Sequence, residues 1–212
     1  MNLILLGAPG AGKGTQAELL SRELQIPTIS TGNILREAIR NGTPTGLMAK
    51  SLIDNGQLVP DDVILGIVEE RLSREDCQNG FILDGVPRTV GQAEALVKLG
   101  VHIDRVISYE IEDSVIVSRM SGRRVCSACG ASYHVTQNPP KHENVCDLCG
   151  GALMTRKDDQ PETVLARLAV FHRQTEALKG FYENLGKLTL VAGNQPIETV
   201  FRDTMKALRD CV

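Results

Sequence analysis

The stretch Gly7-Ala8-Pro9-Gly10-Ala11-Gly12-Lys13-Gly14-Thr15 separates two different sequence patterns. The apolar run Leu3-Ile4-Leu5-Leu6 precedes it, and a helical pattern in which Ala17, Leu20 and Leu24 share one face follows it. Glycines between a strand and a helix let successive backbone N–H groups converge on one phosphate, and the helix adds the positive end of its dipole. The stretch therefore predicts a triphosphate-binding loop, with Lys13 at the β- and γ-phosphates and Thr15 near the metal-bearing oxygens.

The loop departs from the general phosphate-loop pattern at one position, and the alternatives are a dinucleotide-binding fingerprint or a loop that is simply rich in glycine. The general phosphate-loop pattern has Ser or Thr directly after the Lys, whereas here Gly14 follows Lys13 and the hydroxyl comes one residue later. A dinucleotide-binding fingerprint requires a third glycine where Thr15 stands, and it does not require a lysine. Triphosphate binding remains the preferred interpretation.

The rest of the chain alternates short apolar runs with helical patterns. Further strands are expected at Phe81–Leu83, Val106–Tyr109 and Leu188–Val191, with a weaker candidate at Thr28–Ser30. Pro161 is expected to open a long helix that runs to about Leu185. Alternating strands and helices predict an α/β fold, a three-layer αβα phosphate-loop core around a five-stranded parallel sheet.

Composition restricts the classes of function. The 212 residues are 42% hydrophobic and carry a net charge of −3, which argues against a general nucleic-acid binder. No stretch approaches the roughly 18 apolar residues of a membrane span, and the N-terminal apolar run is too short for a signal peptide. We therefore expect a cytoplasmic protein with no membrane or nucleic-acid partner. Six cysteines in such a protein favour metal or redox roles over a disulfide framework.

An acid and a tight turn follow the second apolar run. Asp84 ends the run Phe81-Ile82-Leu83, as expected of a group that handles Mg²⁺ beside a phosphate loop. Gly85-Val86-Pro87-Arg88 then predicts a turn that directs Arg88 over the strand ends, with Pro87 as a candidate for a cis bond.

Arginines are the remaining candidates for phosphate ligands, because the planar guanidinium binds phosphate oxygens in pairs. The sequence has no evident Ser-His-Asp or Cys-His nucleophile system, which suits phosphoryl transfer because that reaction needs mainly positioning and charge neutralisation. Any one of these arginines could instead be a solvated surface residue. The candidates are Arg36, Arg88, Arg119, Arg123, Arg156 and Arg167.

Residues 122–159 interrupt the alternation and predict a small inserted module. Cys126-x-x-Cys129 and Cys146-x-x-Cys149 enclose 16 residues, the spacing of a four-cysteine metal site. Four thiolates leave no open position, so a structural metal is expected, with zinc preferred over iron or cobalt. Disulfides are the alternative, and His134 or His142 could replace a cysteine. We assign no role to Cys77 and Cys211.

Several of these motifs together resemble the adenylate kinase family over nearly the whole chain. The loop of residues 7–15 has the form found in nucleoside monophosphate kinases, which accounts for the displaced Thr15. Ser30-Thr31-Gly32-Asn33-Ile34-Leu35-Arg36 resembles the entry to that family's monophosphate site, and Asp84-Gly85-Val86-Pro87-Arg88-Thr89 its acceptor-side turn. Gly122-Arg123-Arg124 and Asp158-Asp159 resemble the two ends of its lid, in the form that carries a four-cysteine metal site.

The resemblance implies the Mg²⁺-dependent reaction ATP + AMP ⇌ 2 ADP and a division of the chain into three parts. The core would comprise residues 1–29, 60–121 and 160–212, the monophosphate-binding segment 30–59, and the lid 122–159. ATP would contact Gly10, Ala11, Gly12, Lys13, Gly14, Thr15, Arg119, Arg123, Ser132, Tyr133 and Gln195. AMP would contact Thr31, Arg36, Gln57, Leu58, Val59, Gly85, Val86, Pro87, Arg88, Gln92, Arg156 and Arg167. The catalytic set would be Lys13, Asp84, Arg88, Arg123, Arg156 and Arg167.

The sequence departs from the family pattern at two positions and leaves other readings open. Asn33 stands where the family usually has Asp, and Val86 where it usually has Phe. Asn33 keeps hydrogen-bonding capacity but loses a charge, and Val86 is expected to thin the wall beside the monophosphate, so both bear on the choice of acceptor base. A kinase for GMP, UMP or CMP is one alternative. A phosphate-loop switch protein with a zinc ribbon is another, although no Asn-Lys-x-Asp string for guanine is present. Nothing in the sequence requires more than a monomer.

Overall fold

A parallel sheet forms the centre of the computed structural model, which describes residues 1–209. Its strands are β1 (Asn2–Leu6), β2 (Thr28–Ser30), β3 (Phe81–Asp84), β4 (Arg105–Glu110) and β8 (Leu188–Ala192), in the spatial order β2-β3-β1-β4-β8. All four pairings are parallel. The predicted five-stranded parallel sheet is therefore confirmed, including the weaker candidate at Thr28–Ser30.

Helices cover both faces of this sheet. They are α1 (Lys13–Leu24), α2 (Thr31–Arg40), α3 (Pro44–Asp54), α4 (Asp61–Leu72), α5 (Val90–Lys98), α6 (Asp113–Gly122), α7 (Pro161–Val170), α8 (Ala177–Asn184) and α9 (Ile197–Arg209). Alternate residues of β1 point to opposite faces, so Ile4 and Leu6 enter one buried cluster while Leu3 and Leu5 enter another. Two apolar layers on one sheet are what a three-layer αβα core requires.

The long helix expected from Pro161 to about Leu185 is interrupted. A π-helical turn at Phe171–Thr175 separates α7 from α8. Such a turn inserts an extra residue and rotates the side chains that follow it. Here the Thr175 hydroxyl donates to the carbonyl of Arg88 at 2.8 Å, so the interruption connects this helical path to the turn after β3.

Residues 122–159 form a separate small sheet, as an inserted module would. The strands β5 (Arg123–Cys126), β6 (Ser132–His134) and β7 (Leu153–Met154) are antiparallel and lie in the order β6-β5-β7. We call residues 122–159 the lid segment and residues 30–59, which contain α2 and α3, the α2–α3 segment. Among residues 1–209, no helix combines the length and the apolar character needed to cross a bilayer.

Candidate functional site

The glycine-rich loop has the backbone of an anion-binding turn. Gly7, Gly10 and Gly12 all have positive φ, at 136°, 86° and 94°. Gly12 is the N-cap of α1 and no side chain caps the helix there, so the first N–H groups of α1 remain available to a ligand. At Gly10 a Cβ would stand 2.8 Å from the sulfur of Met120 and 3.1 Å from Cγ2 of Ile116, so a side chain there would displace these buried neighbours as well as strain the backbone.

Lys13 is partly buried behind this loop. Its Nζ donates to the carbonyl oxygens of Gly7 at 2.7 Å and Ala8 at 2.9 Å. Desolvation, opposed by Asp84 and assisted by nearby arginines, lowers the pKa of Lys13 to about 8. A phosphate bound in the loop would act as a negatively charged counterion to the Lys13 ammonium.

Asp84 lies at the carboxyl end of β3, beside the start of α1. It is in register with Leu5 of β1 and Ser30 of β2, and the Ser30 hydroxyl donates to it at 3.4 Å. A Cβ on Gly14 would be 3.9 Å from Oδ2 of Asp84. The carboxylate therefore faces the loop, where a cation bound to phosphate would lie.

Three arginines and two aspartates form a charge cluster at the end of the lid segment. Arg123 binds Asp159 through two nitrogens, and Arg156 binds Asp158 in the same bidentate way. Nη1 of Arg167 donates to Oδ2 of Asp158 at 2.8 Å and lies 3.5 Å from Oδ1 of Asp159. Both aspartate side chains are less than a tenth exposed. The cluster holds more positive than negative charge, which favours a bound anion.

The sequence motifs suggested Asp158 and Asp159 only as a segment boundary. Burial would raise the pKa of Asp158, but Arg156 and Arg167 more than offset it, so the pKa is about 2. These carboxylates act as counterions to the arginines. The only sequence signal for this role was the dense alternation of charges at residues 156–159.

Arg88 and Arg36 line the opposite side of the site. Nε of Arg88 donates to the carbonyl of Gly85 at 2.8 Å, and the Thr31 hydroxyl donates to the same oxygen at 3.1 Å. Burial lowers the pKa of Arg88, and it lowers the pKa of Arg36 to about 9 with the help of Arg156. The peptide between Val86 and Pro87 is cis, as the sequence suggested.

Gln92 is held by partners that the sequence did not predict. Its Oε1 accepts from the backbone N–H of Arg88 at 2.7 Å, and its Nε2 donates to Asp61 at 2.6 Å. Asp61 also accepts from the Thr89 hydroxyl at 3.0 Å. Each polar atom of the Gln92 amide retains one further hydrogen-bonding capacity for a ligand.

One cavity of about 530 Å³ brings these groups together. Every predicted nucleotide-contacting residue lines it except Val86, which is 1% exposed and packs in the core cluster with Leu35 and Val59. The Val86 side chain is therefore packed in the core and not at the cavity, and its contact with AMP stays a prediction. The lining residues from the predicted set are Gly10, Ala11, Gly12, Lys13, Gly14, Thr15, Thr31, Arg36, Gln57, Leu58, Val59, Asp84, Gly85, Pro87, Arg88, Gln92, Arg119, Arg123, Ser132, Tyr133, Arg156, Arg167 and Gln195.

Arg119 and Tyr133 differ in how they meet the cavity. Arg119 donates to the carbonyl of Gly193 at 3.1 Å, and its buried Nε has no hydrogen-bond partner among residues 1–209. The Tyr133 hydroxyl instead contacts Sγ of Cys146 at 3.5 Å and accepts from the N–H of Asp147 at 2.8 Å. Arg119 thus keeps an unpaired buried donor beside the cavity, whereas Tyr133 braces the lid segment.

The four cysteines of the lid segment form a metal-binding geometry. Their sulfurs all lie within 4.8 Å of one another, with Cys126 and Cys149 at 3.5 Å and Cys129 and Cys146 at 3.6 Å. A tetrahedral zinc with Zn–S bonds of about 2.3 Å has S–S edges of about 3.8 Å. A Cβ on Gly151 would be 3.0 Å from the Cys126 sulfur, so glycine preserves this space. The thiols are free, which disfavours the disulfide alternative, and they fit a metal.

Comparison with known proteins places this site in a family. The sequence model of the family described as adenylate kinase matches residues 5–187. The chain belongs to the adenylate kinase family. It is 54% identical to the adenylate kinase of Caldicellulosiruptor bescii, over 98% of this chain and 99% of the relative. It is 53% identical to that of a Geobacillus species over 98% of each chain, and 51% identical to that of Geobacter sulfurreducens over 100% and 99%.

Membership of the adenylate kinase family makes this chain a nucleoside monophosphate kinase, an enzyme of phosphoryl transfer. The alternative of a switch protein with a zinc ribbon is therefore not supported. Of the two departures from the family pattern, Val86 lies in the core. Asn33 accepts a hydrogen bond from Nη2 of Arg36 at 2.5 Å, so the amide still orients that arginine without a charge. Cys77 is buried against Arg71, and Cys211 lies outside the described residues.

Proposed function

We propose that the chain catalyses the reversible reaction ATP + AMP ⇌ 2 ADP with Mg²⁺. The observation that carries this proposal is that one cavity is lined both by the phosphate loop, including Lys13, and by Thr31, Gly85 and Arg88. A cavity with one phosphate-binding loop would suffice for hydrolysis. Arg36 and Arg88 form a second cationic side of the cavity, on elements other than the phosphate loop, and this gives a reason to expect a second nucleotide.

ATP is the donor in this proposal and occupies the loop side. Backbone N–H groups of Gly10 to Thr15 bind the phosphates, with Lys13 at the β- and γ-phosphates. Arg119, Ser132, Tyr133 and Gln195 surround the nucleoside. Bound with ATP, Mg²⁺ supplies positive charge at the phosphate oxygens, and Asp84 and Thr15 are the residues that would hold it.

AMP is the acceptor and occupies the opposite wall. Arg36 and Arg88 bind the α-phosphate, and the Thr31–Gly85 contact fixes the turn that carries Arg88. Gln57, Leu58, Val59, Gly85, Pro87 and Gln92 surround the nucleoside. The amide of Gln92 is already oriented by Arg88 and Asp61, so its remaining donor and acceptor are preset for an adenine edge.

The transferred phosphoryl group lies among Lys13, Arg88, Arg123, Arg156 and Arg167. Transfer needs the attacking and leaving oxygens in line and the developing charge neutralised. The arginines are already ordered by Asp158 and Asp159, so little side-chain entropy is lost when phosphate oxygens bind. Closure of the lid segment excludes water, which otherwise competes with AMP as acceptor.

The remaining proposals concern the three parts of the chain and its surroundings. We propose that residues 1–29, 60–121 and 160–212 act as the core, with 30–59 and 122–159 as moving parts. A zinc ion held by Cys126, Cys129, Cys146 and Cys149 would cross-link the lid segment, which is too poor in large apolar residues to fold alone. We further propose a monomeric cytoplasmic enzyme without a membrane or nucleic-acid partner.

An acceptor panel tests the proposed reaction. ATP is incubated with AMP, GMP, UMP or CMP, and diphosphate formation is measured for the wild type, Lys13→Ala and the control Lys98→Ala, which changes an exposed lysine at the end of α5. We expect the wild type to prefer AMP as acceptor. Lys13→Ala should lose at least about 100-fold in rate while its circular dichroism spectrum stays unchanged. Lys98→Ala should match the wild type in both measurements. Equal rates with AMP and UMP would reject the proposed acceptor.

A further inference from the structure

Arg40 connects the two segments that flank the cavity. It lies at the last residue of α2, and its Nη1 donates to the backbone carbonyls of Ser127 and Ala128, each at 3.0 Å. Among the hydrogen bonds of residues 1–209, these two are the ones that join the α2–α3 segment to the lid segment. Arg40 is exposed and does not line the cavity, so no nucleotide contact explains its position.

The carbonyls that Arg40 contacts belong to the first Cys-x-x-Cys turn. The carbonyl of Cys126 accepts from the N–H of Gly130 at 3.1 Å, which closes this turn. The carbonyls of Ser127 and Ala128 stay outside that bond, and both accept from Arg40. The same backbone geometry that serves the four-cysteine site thus presents a pair of acceptors to a cation.

The contact also reaches the acceptor wall through α2. Arg36 and Arg40 are four residues apart and lie on the same side of this helix. Arg36 lines the cavity and Arg40 reaches the lid segment one turn later. When the lid segment holds Arg40, it restricts the helix that carries Arg36.

We propose that Arg40 is a positioning residue that latches the four-cysteine turn onto α2 and so stabilises the closed arrangement of the two segments. The consequence for catalysis rests on the function proposed above. The four-cysteine site then has a role beyond holding the lid segment together, because the backbone carbonyls of its first turn accept the hydrogen bonds from Arg40. Without the latch, the closed arrangement is less populated and Arg36 is less restrained.

The first test needs no nucleotide. A donor and an acceptor fluorophore are attached to unnatural ketone residues at Leu47 and Leu148, which are 63% and 68% exposed on opposite segments, in the metal-bound protein. We expect Arg40→Ala to lower the ratio of closed to open molecules about fivefold, because an exposed hydrogen bond to a charged group contributes on the order of 1 kcal/mol. Arg40→Lys keeps the charge but loses the planar group and should fall between. The control Arg173→Ala, at another exposed arginine, should match the wild type.

The second test measures binding of a bisubstrate ligand, two adenosines joined through five phosphates. If the latch favours closure, Arg40→Ala binds this ligand up to about fivefold more weakly, whereas the melting temperature of the free protein falls by no more than about 4 °C. Unchanged fluorescence in Arg40→Ala, or an equal shift in Arg173→Ala, would overturn the latch. Failure of the wild type to bind the ligand would reject the proposed reaction instead, and the ligand-free fluorescence would still decide the latch.

Discussion

Replacing Asp158 by asparagine removes the carboxylate charge that pairs with Arg156 and Arg167, and so tests how much this charge stabilises the fold. Asn has nearly the same shape as Asp but carries no charge, so Arg156 and Arg167 keep one acceptor and lose their counterion. Burial lowers the pKa of Arg167 to about 10, so this arginine still stays protonated at neutral and acidic pH. We therefore expect a buried cluster with a larger excess of positive charge, and a less stable protein at neutral pH.

The magnitude follows from the pKa of Asp158. Burial opposes ionisation, but Arg156 and Arg167 outweigh it and lower the pKa from 3.8 to about 2. At about 1.4 kcal/mol for each pH unit, this shift corresponds to roughly 2.5 kcal/mol. For a chain of this size, the loss lowers the melting temperature by about 5–10 °C. Because the folded-state pKa lies below the unfolded-state value, the stabilisation is present above about pH 4 and disappears as the pH falls toward 2.

Thermal unfolding of the metal-bound protein between pH 3 and 7 is the assay for Asp158→Asn. The control is Asp147→Asn, which changes an exposed lid aspartate whose partner is a backbone N–H, and it should shift stability by less than about 0.5 kcal/mol. The difference between the wild type and Asp158→Asn should shrink toward pH 3, and a bound five-phosphate ligand should also reduce it, because phosphates replace the lost carboxylate. A variant that melts with the wild type at pH 7, or a difference independent of pH, would refute this reasoning.

Three further changes probe the packing, the metal site and the phosphate loop. Gly46→Ala would place a Cβ 2.2 Å from the backbone of α2, so unfolding free energy should fall by about 2–3 kcal/mol, whereas Gly66→Ala in α4, with open space around it, should gain about 0.5–1 kcal/mol. Cys129→Ser should lose bound metal and melt at a lower temperature yet keep measurable activity in the cold, whereas Cys77→Ser should keep its metal. Because burial lowers the pKa of Lys13 to about 8, kcat/KM for ATP should decline above that pH. The value of kcat should stay constant to a higher pH, because bound phosphate keeps the Lys13 ammonium protonated in the enzyme–ATP complex.

Each of these expectations has a direct contradiction. Denaturant unfolding would count against the packing argument if the two glycine variants changed stability in the same direction. Elemental analysis that finds full metal occupancy in Cys129→Ser would remove that cysteine from the ligand set, and complete loss of activity with the core folded would favour a catalytic metal. A kcat/KM for ATP that stays constant to pH 10 would mean that the charge of Lys13 is not needed for binding.

Local patterns made the sheet and the phosphate loop predictable. A glycine-rich loop between a strand and a helix encodes its geometry within nine residues, and each strand is a short apolar run of its own. The four-cysteine site was predictable for the same reason, because each Cys-x-x-Cys pair supplies half of the ligands locally. The π-helical turn at Phe171–Thr175 was not, since the sequence has a helical pattern on both sides and only the contact of Thr175 with Arg88 distinguishes it.

Long-range polar partners were the part that the sequence could not supply. Asp159 pairs with Arg123, 36 residues away, and Asp61 holds Gln92, 31 residues away. Neither pair follows a spacing rule, since only the fold brings the two side chains together. Val86 is the converse case: its neighbours Gly85 and Pro87 line the cavity while its own side chain packs into the core. Which residues of this turn line the cavity and which pack in the core depends on the path of the backbone through the turn. The residue types alone do not reveal that path.

The central claim is that one cavity holds two nucleotides and passes a phosphoryl group directly between them. Phosphorus NMR of a reaction that contains ATP, AMP, Mg²⁺ and the purified chain measures all products at once. Direct transfer predicts that two ADP molecules appear for each ATP consumed, with no inorganic phosphate above the rate seen without enzyme. Release of inorganic phosphate in step with loss of ATP, with AMP left unchanged, would contradict the claim.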